Sequence, residues 1–394
     1  MRRLSIVFFL FVSWHVAAQY RMRPDALPSD DSKPAKGVVM AATLGEMYAW
    51  QAYPTYEVYL QMMQDFARRY PALCHIDTIG RSVQNRLLLA LVIDGGNAAG
   101  KREMLYAGAI HGNELASYYL LLRLCDTLLG SYDVDDDITH LLDNISVYIN
   151  PLMNPDGTYR GGNASVGGAV RYNANYVDLN RNYPDPFGAG LLDDLQVENK
   201  YQIDYIKNHH FVLSATLHGG AEVLNYPWDS FTSASRKNEH DQWWRQVCSR
   251  FVERGRENNP DFFTNITESG YIVGGDWYVI RNGRQDYMNY NHGIRELTME
   301  VSATKMLTAA QLDSSWHAIA PSLIGYIAEA LDIEPLSVHE AAPNVMQSVV
   351  YPNPTSGRVY VKTPNAIHTF NLSNRPAGIY FINAEGVEYK VIKQ

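Results

Sequence analysis

Apolar residues recur along the chain in two rhythms. Short runs at 76–79, 87–93, 104–108, 145–149, 212–217 and 295–301 are continuous or alternate with period two, which predicts strands. Longer stretches between them carry a one-sided apolar face. Residues 50–70 place Tyr59, Met62, Met63 and Phe66 on one side, 116–129 form a second such helix, and 318–333 a third that carries Glu329. A Gly-Arg-Ser-Val-Gln turn separates the first two strands. Strands alternating with helices predict an α/β domain.

The rhythm changes near both ends. Arg2 and Arg3, the apolar run Leu4–Trp14 and the small residues Val16-Ala17-Ala18 predict a secretory signal peptide over 1–18. That run is short for a bilayer span, and no cysteine follows the cleavage site, so a lipid anchor is not expected. Residues 19–45 are a polar, Pro-bearing leader, 46–333 the main domain, and 334–346 a linker. Residues 347–394 form a short β-rich tail that opens Val349-Val-Tyr-Pro-Asn-Pro-Thr-Ser-Gly357. No stretch of the mature chain reads as a membrane helix.

Composition narrows the function classes. A hydrophobic content of 46% supports a sizeable core, and a net charge of −9 argues against a general nucleic-acid binder. Cys74, Cys125 and Cys248 make no disulfide framework or metal pattern. Buried thiols are expected, with at most one bridge.

The candidate chemistry begins where the third strand gives way to a helix, at Ala109-Ile-His111-Gly-Asn-Glu114. An imidazole and a carboxylate three residues apart can hold one zinc ion if a third ligand comes from elsewhere. Alone, the pair reads more readily as a helix-start glutamate beside an incidental histidine. Four further stretches follow in order. Asn154-Pro-Asp-Gly157 is a turn signal, and 171–184 is a dense polar run ending Val177-Asp-Leu-Asn180-Arg181-Asn-Tyr-Pro. Such a run is costly to bury without a ligand or a network. Leu217-His218-Gly-Gly ends another strand. Asp276-Trp-Tyr278 and Asn282-Gly-Arg-Gln285-Asp286 precede the strand that holds Glu300.

In this order and spacing the motifs resemble the zinc carboxypeptidases of the funnelin family. They are most similar to the regulatory subfamily of carboxypeptidases D, E, M and N, over about residues 48–333. The resemblance implies a mixed, mainly parallel twisted sheet flanked by helices and one Zn²⁺ per chain on His111, Glu114 and His218. It implies Glu300 as general base towards zinc-activated water, with Arg171 polarising the scissile carbonyl. Asn180 and Arg181 match the pair that holds the substrate's terminal carboxylate. Tyr278, 22 residues before Glu300, matches the tyrosine that closes over it, with Tyr287 as the rival. Asp229 and Gln285 match the preference for C-terminal Lys or Arg. Implied partners are the C-termini of peptides or proteins.

The sequence departs from that subfamily in two places. Arg284 stands in the loop where the pattern has Met; pointing inward it would repel a basic side chain and could pair with Asp229 instead, and its effect on specificity stays open. The accessory β-domain that usually follows is replaced by the tail, which resembles a type IX secretion sorting domain and implies a secretion-machinery partner and a secreted or surface location. A small stabilising β-module is the plainer reading of the tail. Two other function classes are open: a catalytically silent peptide-binding module, and a cell-wall peptide hydrolase or deacylase on the same scaffold. His209-His210 is expected to close a helix, Trp243-Trp244 to pack, and Asp133–Asp137 to form a solvated turn.

Overall fold

Strands β1 (Cys74–Arg81), β2 (Leu87–Ile93), β3 (Arg102–Gly108), β4 (Ile145–Asn150), β5 (Phe211–His218), β6 (Ala221–Tyr226), β7 (Tyr271–Val273) and β8 (Arg295–Ser302) build one sheet of order β1-β2-β4-β3-β5-β8-β6-β7. The pairs β4–β3, β3–β5, β5–β8 and β6–β7 are parallel; β1–β2, β2–β4 and β8–β6 are antiparallel. β5 and β8 lie inside the sheet and are buried along almost their whole length. β5 reads as a largely apolar run for that reason, while β8 carries Glu296, Thr298 and Glu300 between its apolar residues. Glu300 is thus on an interior strand.

The computed structural model describes residues 37–333 except 97, 189 and 192, and most of 349–393 except 352–355, 363–366 and 385–386. The expected signal peptide, most of the leader and the linker lie outside the described residues. Contacts divide the chain into two units, Met1–Pro335 and Leu336–Gln394.

Helices α1 (Tyr56–Arg69), α2 (Leu115–Ser131), α3 (Asp136–Asn144), α4 (Val197–Lys207), α5 (Asp241–Asn258), α6 (Arg284–His292) and α7 (Ala309–Ala328) accompany the sheet. α1 begins six residues later than the apolar pattern suggests. Pro54 is extended, and the Thr55 hydroxyl caps the helix by accepting from the Val58 amide at 3.2 Å. Its predicted face is correct, with Tyr59, Met62, Met63 and Phe66 fully buried. α2 is apolar nearly all round, and Leu120, Leu121, Leu122 and Leu124 are fully buried. Each such leucine contributes about 1.5–3 kcal/mol relative to exposure. α7 starts earlier than expected, at a Thr308–Gln311 capping box, and gives way to a 3₁₀ turn over Glu329–Asp332. Glu329 is buried because Arg250 pairs with it.

Residues 38–45, read as leader, join the main unit. Met40–Ala41 pairs in parallel with Tyr53–Pro54, and Ala41 is fully buried. The three cysteines are buried and free. His209 closes α4 by donating from Nδ1 to the Tyr205 carbonyl at 2.7 Å, and Trp244 is core. In the acidic cluster, Asp135 caps α3 by accepting from the Asp137 and Ile138 amides, both at 3.0 Å.

Among the described residues, the regular structure of the second unit is all β. Strands β9 (Val349–Tyr351), β10 (Arg358–Lys362) and β11 (Ile367–Asn371) form an antiparallel sheet, and β12 (Gly378–Ala384) and β13 (Val387–Lys393) a hairpin. Val359, Val361, Leu372, Ile382 and Val391 are its buried core.

Candidate active site

At the C-terminal end of β3 the chain turns sharply. Ala109 adopts φ +50°, a strained conformation for a residue with a side chain, before the loop that carries His111 and Glu114. Gly112 explains itself by contact: a Cβ there would lie 2.4 Å from the Gly157 carbonyl carbon. The Asn154–Gly157 turn is therefore the buttress of this loop. Asn154 Nδ2 donates to the Ile110 and Arg171 carbonyls, each at 3.2 Å, and the Thr158 hydroxyl to the Gly112 carbonyl at 2.8 Å. Asp156 anchors the turn from behind, accepting from the Ser82 hydroxyl, the Gln84 amide and Arg86, each at 2.8 Å.

Glu114 sits at the N-cap of α2 but does not cap it. Its carboxylate turns to the histidines instead. His111 Nδ1 is 2.9 Å from Glu114 Oε1, His218 Nδ1 is 2.8 Å from Oε2, and the two Nδ1 atoms are 3.1 Å apart. A tetrahedral zinc with ligands at about 2.0–2.1 Å spaces neighbouring donors by roughly 3.3 Å. The donor set therefore fits such an ion and leaves a fourth position open. Burial pushes the Glu114 carboxyl up, and the two imidazoles overcome it and hold it well below its ordinary range.

Asp178 was not singled out in the sequence, yet it organises this end. Its Oδ1 lies 3.2 Å from His111 Nε2, fixing the ring from its far side. Its Oδ2 accepts from Arg171 Nε at 2.9 Å and Nη2 at 2.8 Å, and Oδ1 also accepts from the Asn180 amide at 2.9 Å. One carboxylate thus sets His111, Arg171 and Asn180. Arg171 Nη1 remains near the ligand set, 3.2 Å from His111 Nδ1.

His111, Glu114, Arg171, Asn180, His218, Asp229, Tyr278 and Glu300 all line one cleft, with Gly219, Asn225, Ile280 and Thr298 between them. Arg181 stands beside it, half-buried, with Nη1 donating to the Asn180 carbonyl at 2.8 Å. Tyr287 is elsewhere, buried against Tyr183 and His292. Gln285 reaches the cleft through Asp229: its Nε2 donates to Asp229 Oδ1 at 2.8 Å while its Oε1 accepts from the Thr298 amide at 2.8 Å. Gly274 makes room for that carboxylate, since a Cβ there would meet Asp229 Oδ1 at 1.9 Å.

Arg284 corrects an expectation. It does point inward and is fully buried, but its Nη2 faces Glu296 at 3.0 Å and its Nε donates to the Thr216 hydroxyl at 3.0 Å. Glu296 also accepts from the Ser214 and Thr216 hydroxyls. The guanidinium is committed to this network rather than to Asp229.

Two carboxyls facing the cleft are held well above their ordinary range. Burial raises Glu300, the Glu114 charge adds to it, and Arg171 and Lys305 oppose. Burial likewise raises Asp229, Asp286 adds to it, and Arg181 opposes.

The mixed sheet thus gathers at its strand ends a His-Glu-His set that fits one metal ion and a buried carboxyl, Glu300, in the same cleft. The chain belongs to the zinc carboxypeptidase family, whose family model matches residues 59–322. It is 31% identical to human carboxypeptidase D over 290 residues, covering 70% of this chain and 21% of that protein. It is 33% identical to mouse carboxypeptidase M over 290 residues, covering 67% of this chain and 62% of that one. The chain thus spans less than two thirds of either relative. The fold resembles the crystal structure of thrombin activatable fibrinolysis inhibitor, with a TM-score of 0.61, 18% identity and 72% of this chain matched to 75% of that one.

Proposed function

We propose that this chain is a secreted zinc metallocarboxypeptidase that removes one residue from a peptide C-terminus, preferring Lys or Arg. The observation that carries the reading is the meeting of His111, Glu114, His218, Arg171 and Glu300 in one cleft that also contains a buried carboxyl, Asp229. His111, Glu114 and His218 hold one zinc, which supplies Lewis-acid polarisation and acidifies water to a pKa of about 7.

The chain's own groups do the rest. Asn180 and Arg181 bind the terminal carboxylate, and Tyr278 covers it. Arg171, oriented by Asp178, binds the scissile carbonyl oxygen and stabilises negative charge as it forms there. Glu300 takes the proton of the attacking water and passes it to the leaving amine. Its place in the cleft beside the ligand set suits it to both transfers. Asp229, oriented by Gln285, pairs with the cationic side chain of the departing residue.

The test is turnover of a dansylated dipeptide by Glu300→Gln. The variant keeps zinc and fold and loses roughly 10²–10⁴-fold in turnover. Near wild-type turnover refutes the assigned base. Export rests on the sequence of both ends: the signal peptide at 1–18 and the tail at 347–394 as a type IX sorting domain. Removing residues from Val345 onward leaves an active enzyme that is held inside the outer membrane of its native host, and normal secretion of that form contradicts the sorting role.

A further inference from the structure

One strained residue beside the cleft has no task in the mechanism above. Tyr176 adopts φ +62°, a costly backbone conformation for a bulky side chain, yet it is 67% exposed, so core packing does not account for it. Its turn is held firmly. Asn173 is fully buried; its Oδ1 accepts from the Asn175 and Val177 amides at 3.0 and 3.1 Å, and its Nδ2 donates to Gln196 Oε1 at 3.0 Å. The tyrosine is thus presented outward from a rigid base. Arg160, exposed just past the Asn154–Gly157 turn, lies over it. Its guanidinium carbon is 4.3 Å from the ring centroid, and its Nη2 donates to the Tyr176 hydroxyl oxygen. Arg86 and Arg123 also stack on rings, but each has an aspartate oxygen at 2.8 Å. Among the described residues no carboxylate pairs with Arg160, and the Tyr176 O–H has no acceptor.

This unit lies close to the reacting groups. Tyr176 precedes Asp178 by two positions, so their Cα atoms are at most about 7.6 Å apart. Asp178 in turn touches both His111 and Arg171. In the proposed reaction Asn180, Arg181, Tyr278 and Asp229 enclose the departing residue, and the rest of the peptide leaves past Arg171. We propose that Arg160 and Tyr176 form a carboxylate site on this rim, which takes an Asp or Glu side chain a few residues before the substrate's C-terminus. The proposal rests on the carboxypeptidase reading and extends it upstream of the scissile bond. Stacking fixes the guanidinium plane, so little freedom is lost when a carboxylate arrives. The unused guanidinium N–H groups and the Tyr176 O–H supply charge-assisted donors for it. A glycine would adopt φ +62° without penalty; what the tyrosine adds in return is its ring and its hydroxyl.

The experiment measures kcat/KM of the zinc enzyme on short peptides ending in Arg, with one Glu walked through the positions upstream of that Arg and Gln as the neutral control at each. Wild type is set against Arg160→Gln and Tyr176→Gly, with melting temperature recorded for both. At one upstream position wild type is expected to cleave the Glu peptide about two- to fivefold better than the Gln peptide, the range of an exposed charge pair. That ratio should shrink at high salt and fall to about one in both variants. Tyr176→Gly should melt no lower than wild type, because the glycine relieves the backbone. A wild type that cleaves Glu and Gln peptides alike at every position overturns the rim site, as does a ratio that survives either substitution. A Tyr176→Gly variant that melts lower while keeping the ratio shows that the tyrosine serves stability and overturns it equally. A wild type that turns over neither these peptides nor a dansylated dipeptide ending in Arg overturns the carboxypeptidase reading itself.

Discussion

The two ends of the cleft treat buried carboxyls in opposite ways. At the His111 end, Glu114 and Asp178 are held below their ordinary range, because imidazoles and Arg171 outweigh the cost of burial. At the Asp229 end, burial and neighbouring acids raise Asp229 and Asp286, with Arg181 the opposing cation at Asp229. The nearest fully buried arginine, Arg284, does not relieve them, for Glu296 already neutralises it. At the first end the cations outweigh burial; at the second, Arg181 does not. Under the proposed Lys/Arg preference, a cationic side chain entering the second end pairs with Asp229 there, whereas an acidic one adds a further negative charge.

The largest break in this contrast comes at the first end. His218→Ala is expected to abolish zinc retention after dialysis, measured by metal analysis, because two remaining ligands hold the ion poorly. Stoichiometric zinc in that variant refutes the ligand set. A smaller effect is expected one step outward. Asp178→Asn keeps the size of the side chain but withdraws the charge that fixes His111 and Arg171 together, and metal affinity or activity should fall about 10–100-fold. Unchanged zinc affinity and unchanged turnover would show that Asp178 merely fills space.

The same contrast explains what could be read from the chain alone. His111, Glu114, His218, Glu300 and the Asn154–Gly157 turn were legible through the order and spacing of their motifs, and His111 and His218 also stand where apolar strands end. Strands such as β2 and β5 were legible because burial on both faces makes them largely apolar. Asp178 looked like one polar residue among many in 171–184, since its three partners come from distant parts of the chain. Arg284 was misjudged for a related reason. Its partner Glu296 lies in phase with Glu300 on the same buried strand, four residues earlier, and two in-phase acids on an interior strand call for a cation. That signal was present and unused. Helix starts were off by several residues where Pro54, Thr55 and Thr308 overrode the apolar face.

Competition between C-terminal residues tests the proposed pairing with Asp229 most directly. Peptides identical but for a terminal Arg, Phe or Glu are mixed at equal concentration with the wild-type zinc enzyme, and the released amino acids are quantified over time. Arg is expected to be released well ahead of Phe, with Glu release negligible. Release of Phe or Glu ahead of Arg would contradict the account of the Asp229 end.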